Sequence, residues 1–166
     1  YNPNNEPDLH VPWMYTLIGQ PWKTSTVLHA AQQLFTNAPN GVTGNDDLGT
    51  MSAWYLFSAM GLYPAVPGTG EFLLHAPRFS RIDIDVGLGR TLRIEAPAAG
   101  DGKPRYVQGV SLDGNSHPAV WLDWERLQQG GRLRFDLADA PQPQGWGTRP
   151  QDLPAAPCAV EAGSTP

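Results

Sequence analysis

The chain has 166 residues, a length that allows one domain with a hydrophobic core. A formal net charge of −5 argues against a nucleic-acid partner, because phosphate binding needs a basic surface. No apolar run approaches the roughly 20 residues of a membrane-spanning helix, so membrane insertion is not expected. The single cysteine, Cys158, excludes an internal disulfide.

Residues 4–13 gather amide, carboxylate, imidazole and indole groups at the start of the chain. Asn5, Glu6 and Asp8 offer the hard oxygens that Ca²⁺ prefers. Trp13 can form a platform for the apolar face of a sugar. His10 can donate to a sugar hydroxyl, or it is a half-buried histidine without a ligand. The alternative for the whole segment is a proline-rich turn without a function.

Three helices are predicted before residue 64. The first spans residues 9–17, and the third spans residues 47–60 with Gly61 as its C-cap and Pro64 behind it. The second, at residues 22–35, has the clearest period of 3.6. Its apolar stripe consists of Val27, Leu28, Ala31, Leu34 and Phe35.

Two adjacent acids, Asp46 and Asp47, lie between Gly44 and Gly49 at the start of the third predicted helix. The glycines allow backbone angles that other residues avoid. We expect both carboxylates in the first helical turn, where the helix dipole stabilises negative charge. A helix N-cap would explain one acid but not two. Because adjacent carboxylates repel, the pKa of one of them can rise.

After a proline-rich linker at residues 63–68, apolar and polar residues alternate, which is typical of strands. Residues 81–86 and 91–95 alternate strictly on either side of a Gly87–Gly89 turn and predict a hairpin. Further strands are predicted at residues 71–75, 106–112, 120–122 and 132–137. The pattern favours a small antiparallel sheet or sandwich.

Some residues of the strand region and the tail carry further expectations. His75 is expected on the surface or in a strand. Trp121 and Leu122 point to opposite faces of one strand, so at least one strand aromatic packs in the core. A sugar-binding face is the alternative for the tryptophans Trp121, Trp124 and Trp146. Beyond Pro141 the composition predicts disorder.

The motifs in their serial order resemble the C-terminal part of glycoside hydrolase family 92. The strings are NEPDLH, PW, GQPWKT, GNDDLG, MSAWY and GLYP, starting at residues 5, 12, 19, 44, 51 and 61. The resemblance extends from residue 1 to residue 147. It implies that the chain is a fragment of a calcium-dependent, exo-acting α-mannosidase that inverts the anomeric centre.

An inverting glycosidase needs a carboxylic acid that protonates the leaving oxygen and a carboxylate that activates water. Asp46 and Asp47 are the candidates for the carboxylate that activates water, and the resemblance assigns this general base to Asp47. Asp46 is the runner-up, or it helps to orient the water. The resemblance also implies that the general acid is a glutamate upstream of Tyr1, outside this chain.

Calcium has a physical role in such an enzyme, because a hard cation with open positions can chelate the vicinal 2- and 3-hydroxyls of mannose. The resemblance supports a calcium site near these motifs. Glu6 and Asn5 are the best ligand candidates, and Asp46 or Asn45 are possible further ligands. The residues expected to bind the substrate are His10, Asn45 and Trp13.

The expected fold is mixed α and β. Residues 1–64 are expected to be the C-terminal part of an (α/α)₆ toroidal barrel, residues 65–140 a small antiparallel β domain, and residues 141–166 a disordered tail. The resemblance also implies an α-mannoside glycan as substrate, contacts with missing N-terminal domains and a periplasmic or secreted location. The alternatives are a non-catalytic carbohydrate-binding or packing module, and another α/α-barrel glycosidase.

Overall fold

A computed structural model describes residues 1–155, so Cys158 and the end of the predicted tail lie outside the described residues. The main helical part precedes the strand region along the chain, as expected. The helical part consists of two 3₁₀ turns, Glu6–Asp8 and Val11–Trp13, and three α-helices, α1 (Met14–Leu17), α2 (Pro21–Gln32) and α3 (Thr50–Met60). Three helices do not test the predicted toroidal barrel, which stays a prediction. None of the helices formed by residues 1–155 is both long and apolar enough to cross a membrane.

The predicted apolar stripe of α2 is only partly correct. Leu28 and Ala31 are buried, but α2 ends at Gln32 and Leu34 is exposed. The buried face of α2 also carries polar residues whose hydrogen bonds are satisfied inside the protein. Thr24 Oγ1, for example, donates to the Pro12 carbonyl oxygen at 2.8 Å. Satisfied hydroxyl groups can face a core, which a purely apolar pattern does not detect.

The start of the third helix also differs from the prediction. Helix α3 begins at Thr50, so Asp46 and Asp47 precede the helix and are not in its first turn. The cause is a left-handed backbone at residues 47–49, which cannot continue into a right-handed helix. Gly61, with φ 86°, ends the helix as predicted.

The strands form two sheets. Strands β1 (Leu62–Tyr63), β2 (Glu71–Leu74) and β7 (Trp121–Asp123) form an antiparallel sheet in the order β1-β2-β7. The other sheet consists of β3 (Arg81–Gly87), β4 (Arg90–Glu95), β5 (Tyr106–Leu112), β6 (Asn115–Ser116) and β8 (Gly131–Ala138). Its strand order is β3-β4-β8-β5-β6.

The expectation of a small antiparallel sheet or sandwich is correct in part: the three-stranded sheet is antiparallel, but the five-stranded sheet is mixed. The predicted hairpin of β3 and β4 is present. Strands β4 and β8, however, run parallel, with Ile94 opposite Leu133. Parallel neighbours need a crossover connection, and the long segment between them, including β7 and the short helix α4 (Trp124–Leu127), provides it.

Two hydrophobic cores meet at the three-stranded sheet. One core lies on the five-stranded sheet, and the other joins the helices to Ala65 and Leu73 from the strand region. Leu122 belongs to the first core, whereas Trp121 packs against the second, which confirms that they point to opposite faces. The predicted boundary near residue 64 therefore does not separate the cores, because the second core takes residues from both sides of it.

Residues 141–155 are ordered by specific contacts, contrary to the expectation of a disordered tail. Trp146 Nε1 donates to the His117 carbonyl oxygen at 3.1 Å. Asp152 is buried and pairs with Arg149 at 2.9 Å. The Val120 N–H donates to the Asp152 carbonyl oxygen at 2.9 Å. Proline-rich composition did not reveal these contacts because they come from partners distant in sequence.

His75, expected on the surface or in a strand, directly follows β2 and is buried, with 1% of its surface exposed. Its Nδ1 accepts a hydrogen bond from Trp13 Nε1 at 3.1 Å, and its Nε2 donates to the Ser58 carbonyl oxygen at 2.9 Å. Burial lowers the pKa of His75 to about 4, so the ring is neutral at pH 7. This histidine therefore connects the strand region to two helical segments.

Candidate active site

The loop before α3 has an unusual backbone. Asp47, Leu48 and Gly49 have φ values of 49°, 56° and 94°, which are left-handed conformations that side chains disfavour. Thr50 holds the loop in place: its N–H and its Oγ1 donate to the Asp47 carbonyl oxygen at 3.2 and 2.7 Å. Strained backbone of this kind persists where the surroundings fix it and is frequent at functional sites.

Asp46 is bound to the N-terminus of α3. Its Oδ1 accepts hydrogen bonds from the Ser52 Oγ at 2.8 Å and from the Ser52 N–H at 2.9 Å. These bonds lower the pKa of Asp46 below its usual value. Asp46 therefore satisfies one of the free backbone N–H groups at the start of α3, although Gly49 and not Asp46 occupies the N-cap position.

Asp47 has a different environment. Partial desolvation, followed by the charge of the nearby Glu6 carboxylate, raises the pKa of Asp47 above its usual value. The charge of Asp46 adds to this effect. The two adjacent carboxyl groups thus have pKa values shifted in opposite directions, and Asp47 is the stronger base of the pair.

The N-terminal segment docks directly on this loop. Thr43 Oγ1 donates to Asn2 Oδ1 at 2.8 Å. A Cβ atom at Gly44 would lie 2.9 Å from the Asn4 carbonyl oxygen, and Gly44 also has a φ of 72°. Only glycine allows this approach without displacement of the backbone. The docking explains why Glu6 and Asp47, which are distant in sequence, are in contact.

The predicted site residues have three different environments. Glu6, Asp46 and Asp47 are brought together. Asn5 and Asn45, which directly precede Glu6 and Asp46 in sequence, are exposed, and so is His10.

Trp13, by contrast, is completely buried. It stacks on Tyr63 with a ring distance of 3.7 Å and packs edge-on against Trp54. This arrangement favours a core role for Trp13, since no face of its ring is open to a sugar.

Within residues 1–155, no group of three or more His, Cys, Asp and Glu side chains is arranged to hold a metal ion. The exposed oxygens of Asn5 and Glu6 nevertheless have the hard character that calcium needs. The Glu6–Asp47 contact also concentrates negative charge, which a cation would neutralise. The chemistry of these oxygen donors is therefore of the kind that suits calcium.

Sequence reasoning missed Thr50 and Ser52, which fix the two acids. A signal was present, since hydroxyl residues near a helix N-terminus often hydrogen-bond to nearby acidic or backbone groups. It also missed the hydrogen bond that Trp54 Nε1 donates to the Leu9 carbonyl oxygen at 3.0 Å. This contact joins residues 45 positions apart and has no local signal.

Comparison with known proteins identifies the family. Residues 1–139 match the model of the glycosyl hydrolase family 92 catalytic domain. The chain belongs to glycosyl hydrolase family 92. A relative from Arthroderma benhamiae, described as an uncharacterized secreted glycosidase, is 29% identical over 154 residues, covering 90% of this chain and 20% of the relative.

Solved structures of the family have the same fold in this region. A family 92 α-mannosidase from Bacteroides thetaiotaomicron has a TM-score of 0.85 and 27% identity, over 92% of this chain and 20% of that protein. A family 92 inverting mannosidase from the same organism has a TM-score of 0.82 and 34% identity, over 90% of this chain and 20% of that protein. The chain spans about a fifth of the length of these relatives.

Proposed function

We propose that this chain is part of the catalytic machinery of an inverting exo-α-mannosidase that removes terminal α-linked mannose from glycans. Family membership and the mannosidases among its structural neighbours support the substrate class. The observation that carries the proposal is the carboxylate cluster, in which Asp46 is bound by Ser52 while Asp47 faces Glu6.

Asp47 is the proposed general base. A base that removes a proton from water works better when its pKa is higher, provided that it remains ionised at the working pH. The raised pKa of Asp47 meets the first condition better than the lowered pKa of Asp46. Asp46, held by two donors from Ser52, keeps the loop in position and can orient the water.

We propose that Asn5 and Glu6 provide oxygen ligands for Ca²⁺, with Asp46 or Asn45 as further candidates. When bound, the cation supplies a Lewis-acidic centre for the vicinal hydroxyls of the sugar. The exposed His10 and Asn45 are proposed to hydrogen-bond to the sugar. Glu6 places the two functions side by side, because its carboxylate lies close to Asp47 while Asn5 is its neighbour in sequence.

The remaining parts of the proposal concern the longer enzyme. The general acid is proposed to be a glutamate in upstream sequence, and the helices are proposed to complete an (α/α)₆ barrel with upstream helices. Contacts with N-terminal domains follow from this arrangement. A periplasmic or secreted location is supported by the description of the Arthroderma relative as secreted.

The test is the hydrolysis of an aryl α-mannoside by the full-length enzyme and by its Asp47→Asn variant. We expect kcat to fall by several orders of magnitude in the variant, because no carboxylate activates the water, whereas the melting temperature stays nearly unchanged. The exposed Asp136→Asn is the matched control and should keep wild-type kcat. In the wild type, β-mannose should be the first product, as inversion requires.

Normal kcat in the folded Asp47→Asn variant would contradict the assignment of the base. A wild-type enzyme that binds mannosides without hydrolysing them would instead favour the carbohydrate-binding alternative. α-Mannose as the first product would contradict inversion.

A further inference from the structure

The Trp54 side chain lies between the two segments that form the site. Only 1% of its surface is exposed. Phe35 stacks on its ring with a centroid distance of 5.6 Å, and Trp13 packs edge-on at 6.1 Å. These contacts leave the indole a single orientation, since rotation would disrupt a packed core.

In this orientation the indole N–H reaches the N-terminal segment. It donates to the buried Leu9 carbonyl oxygen at 3.0 Å. The Leu9 N–H in turn donates to the Glu6 carbonyl oxygen at 3.2 Å. The Leu9 residue therefore connects the Trp54 ring to the 3₁₀ turn that begins at Glu6.

The same helix also controls the acid loop. Thr50, which binds the Asp47 carbonyl oxygen, is one helical turn before Trp54, and residues spaced by four lie on one face of a helix. One face of α3 thus contacts the loop of Asp47 through Thr50 and the segment of Glu6 through Trp54. The rigid spacing of these two side chains fixes the distance between the two segments.

We propose that Trp54 is a positioning residue, whose indole N–H holds the Leu9 carbonyl and thereby keeps the Glu6 segment at contact distance from Asp47. The proposal rests on the proposed function, because it assigns Trp54 a role in the same site. It goes beyond core packing, which would require only the apolar ring. Loss of the N–H alone should displace Glu6, and a displacement of about 1 Å at a reacting centre can cost up to about 100-fold in rate.

The test compares two tryptophan-to-phenylalanine variants of the full-length enzyme. Trp54→Phe removes the N–H that binds Leu9. Trp146→Phe is the matched control, because Trp146 Nε1 also donates to a backbone carbonyl, that of His117, at 3.1 Å. We measure kcat, KM and the amide hydrogen exchange of residues 5–10 in each protein.

For Trp54→Phe we expect a fall of about tenfold or more in kcat, a change of less than about threefold in KM, and faster exchange in residues 5–10. Trp146→Phe should keep wild-type kcat and exchange in this segment, even if its melting temperature falls. Equal losses of kcat in the two variants would overturn the proposal, since they would show a general effect of stability. Normal kcat and exchange in folded Trp54→Phe would also overturn it.

Trp54→3-benzothienylalanine takes the place of Trp54→Phe if the latter does not fold, because this residue keeps the fused ring system and lacks only the N–H donor. The Tyr1 hydroxyl, which donates to the same Leu9 carbonyl oxygen at 3.4 Å, stays in place in this protein. A fall in kcat with unchanged KM and faster exchange in residues 5–10 would support the proposal, and normal kcat and exchange would overturn it. If the wild-type enzyme hydrolyses no α-mannoside, the proposed function fails, but hydrogen exchange still tests the positioning by Trp54.

Discussion

At the scale of single residues, the candidate site depends on how two adjacent carboxyl groups are distinguished. The Asp46 carboxylate receives two hydrogen bonds from Ser52, whereas the Asp47 carboxyl group contacts another acid, Glu6. Their opposite pKa shifts follow from these neighbours rather than from position in the sequence. Identical side chains can therefore have different roles one peptide apart.

Glu6→Gln in the full-length enzyme tests the proposed metal ligand. We expect the calcium concentration for half-maximal activity to rise, because an amide is a weaker ligand than a carboxylate, and excess calcium should partly restore activity. Calcium titration of activity provides the measurement. Glu125→Gln, an exposed glutamate on α4, is the control and should leave the titration unchanged.

Two other results of the Glu6→Gln experiment would exclude the metal assignment. A higher KM with an unchanged calcium titration would mean that Glu6 contacts sugar hydroxyls directly. If neither quantity changes, Glu6 is only a turn residue.

At the scale of elements, the site requires that the N-terminal segment and the loop before α3 approach closely. This approach depends on the missing side chain of Gly44, beside the Asn4 carbonyl oxygen. It also depends on the left-handed backbone at residues 47–49, which ends the loop and starts the helix at Thr50. The position of the acids is thus set by backbone geometry and docking.

Gly44→Ala should separate the two segments. We expect it to destabilise the protein by more than the roughly 1–2 kcal/mol that a left-handed alanine costs, because the new methyl group also collides with Asn4. Gly68→Ala is the matched control: Gly68 has a φ of 90°, but no atom lies within 4 Å of its added Cβ. Equal losses of unfolding free energy in the two variants would contradict the close approach at Gly44.

At the scale of the whole molecule, the three-stranded sheet joins the helical core to the strand region, with His75 at the junction. A protonated ring would have donors at both nitrogens and could no longer accept from Trp13. The junction is therefore compatible only with neutral histidine.

Stability should fall in acid because of this residue. Unfolded His75 takes up a proton near pH 6.5, whereas the folded residue does so only near pH 4. The unfolded state binds more protons than the folded state between these pH values. The contribution of His75 to the free energy of unfolding is therefore complete above pH 6.5 and is lost as the pH falls towards 4. By about pH 5 the loss is about 2 kcal/mol. Urea unfolding at pH 7 and at pH 5 gives the free energy of unfolding of the wild type and of His75→Gln. We expect a smaller loss between the two pH values in the variant than in the wild type, and equal losses would contradict the assignment.

The purified 166-residue chain, without the rest of the enzyme, should not hydrolyse α-mannosides. The proposed general acid is not among the three carboxyl groups of the site, and general acid catalysis contributes roughly 10²–10⁴-fold. Turnover of an aryl α-mannoside by the purified chain, compared with the full-length enzyme, is the measurement. Turnover at the rate of the full-length enzyme would show that the complete catalytic pair lies within these residues.

The sequence by itself determined the features that depend on local chemistry. Alternating residues predicted the β3–β4 hairpin, Gly61 predicted the end of α3, and the serial motifs predicted the family. Each of these signals is written in neighbouring residues, whose spacing and backbone freedom fix the local structure.

Only the tertiary structure decided the features that depend on distant partners. The parallel pairing of β4 with β8, the order in residues 141–155 and the burial of His75 and Trp13 all come from contacts across the fold. The contact of Glu6 with Asp47 belongs to the same class. Local patterns do not encode which segments meet, because that choice depends on how the whole chain buries its apolar surface and satisfies its polar groups.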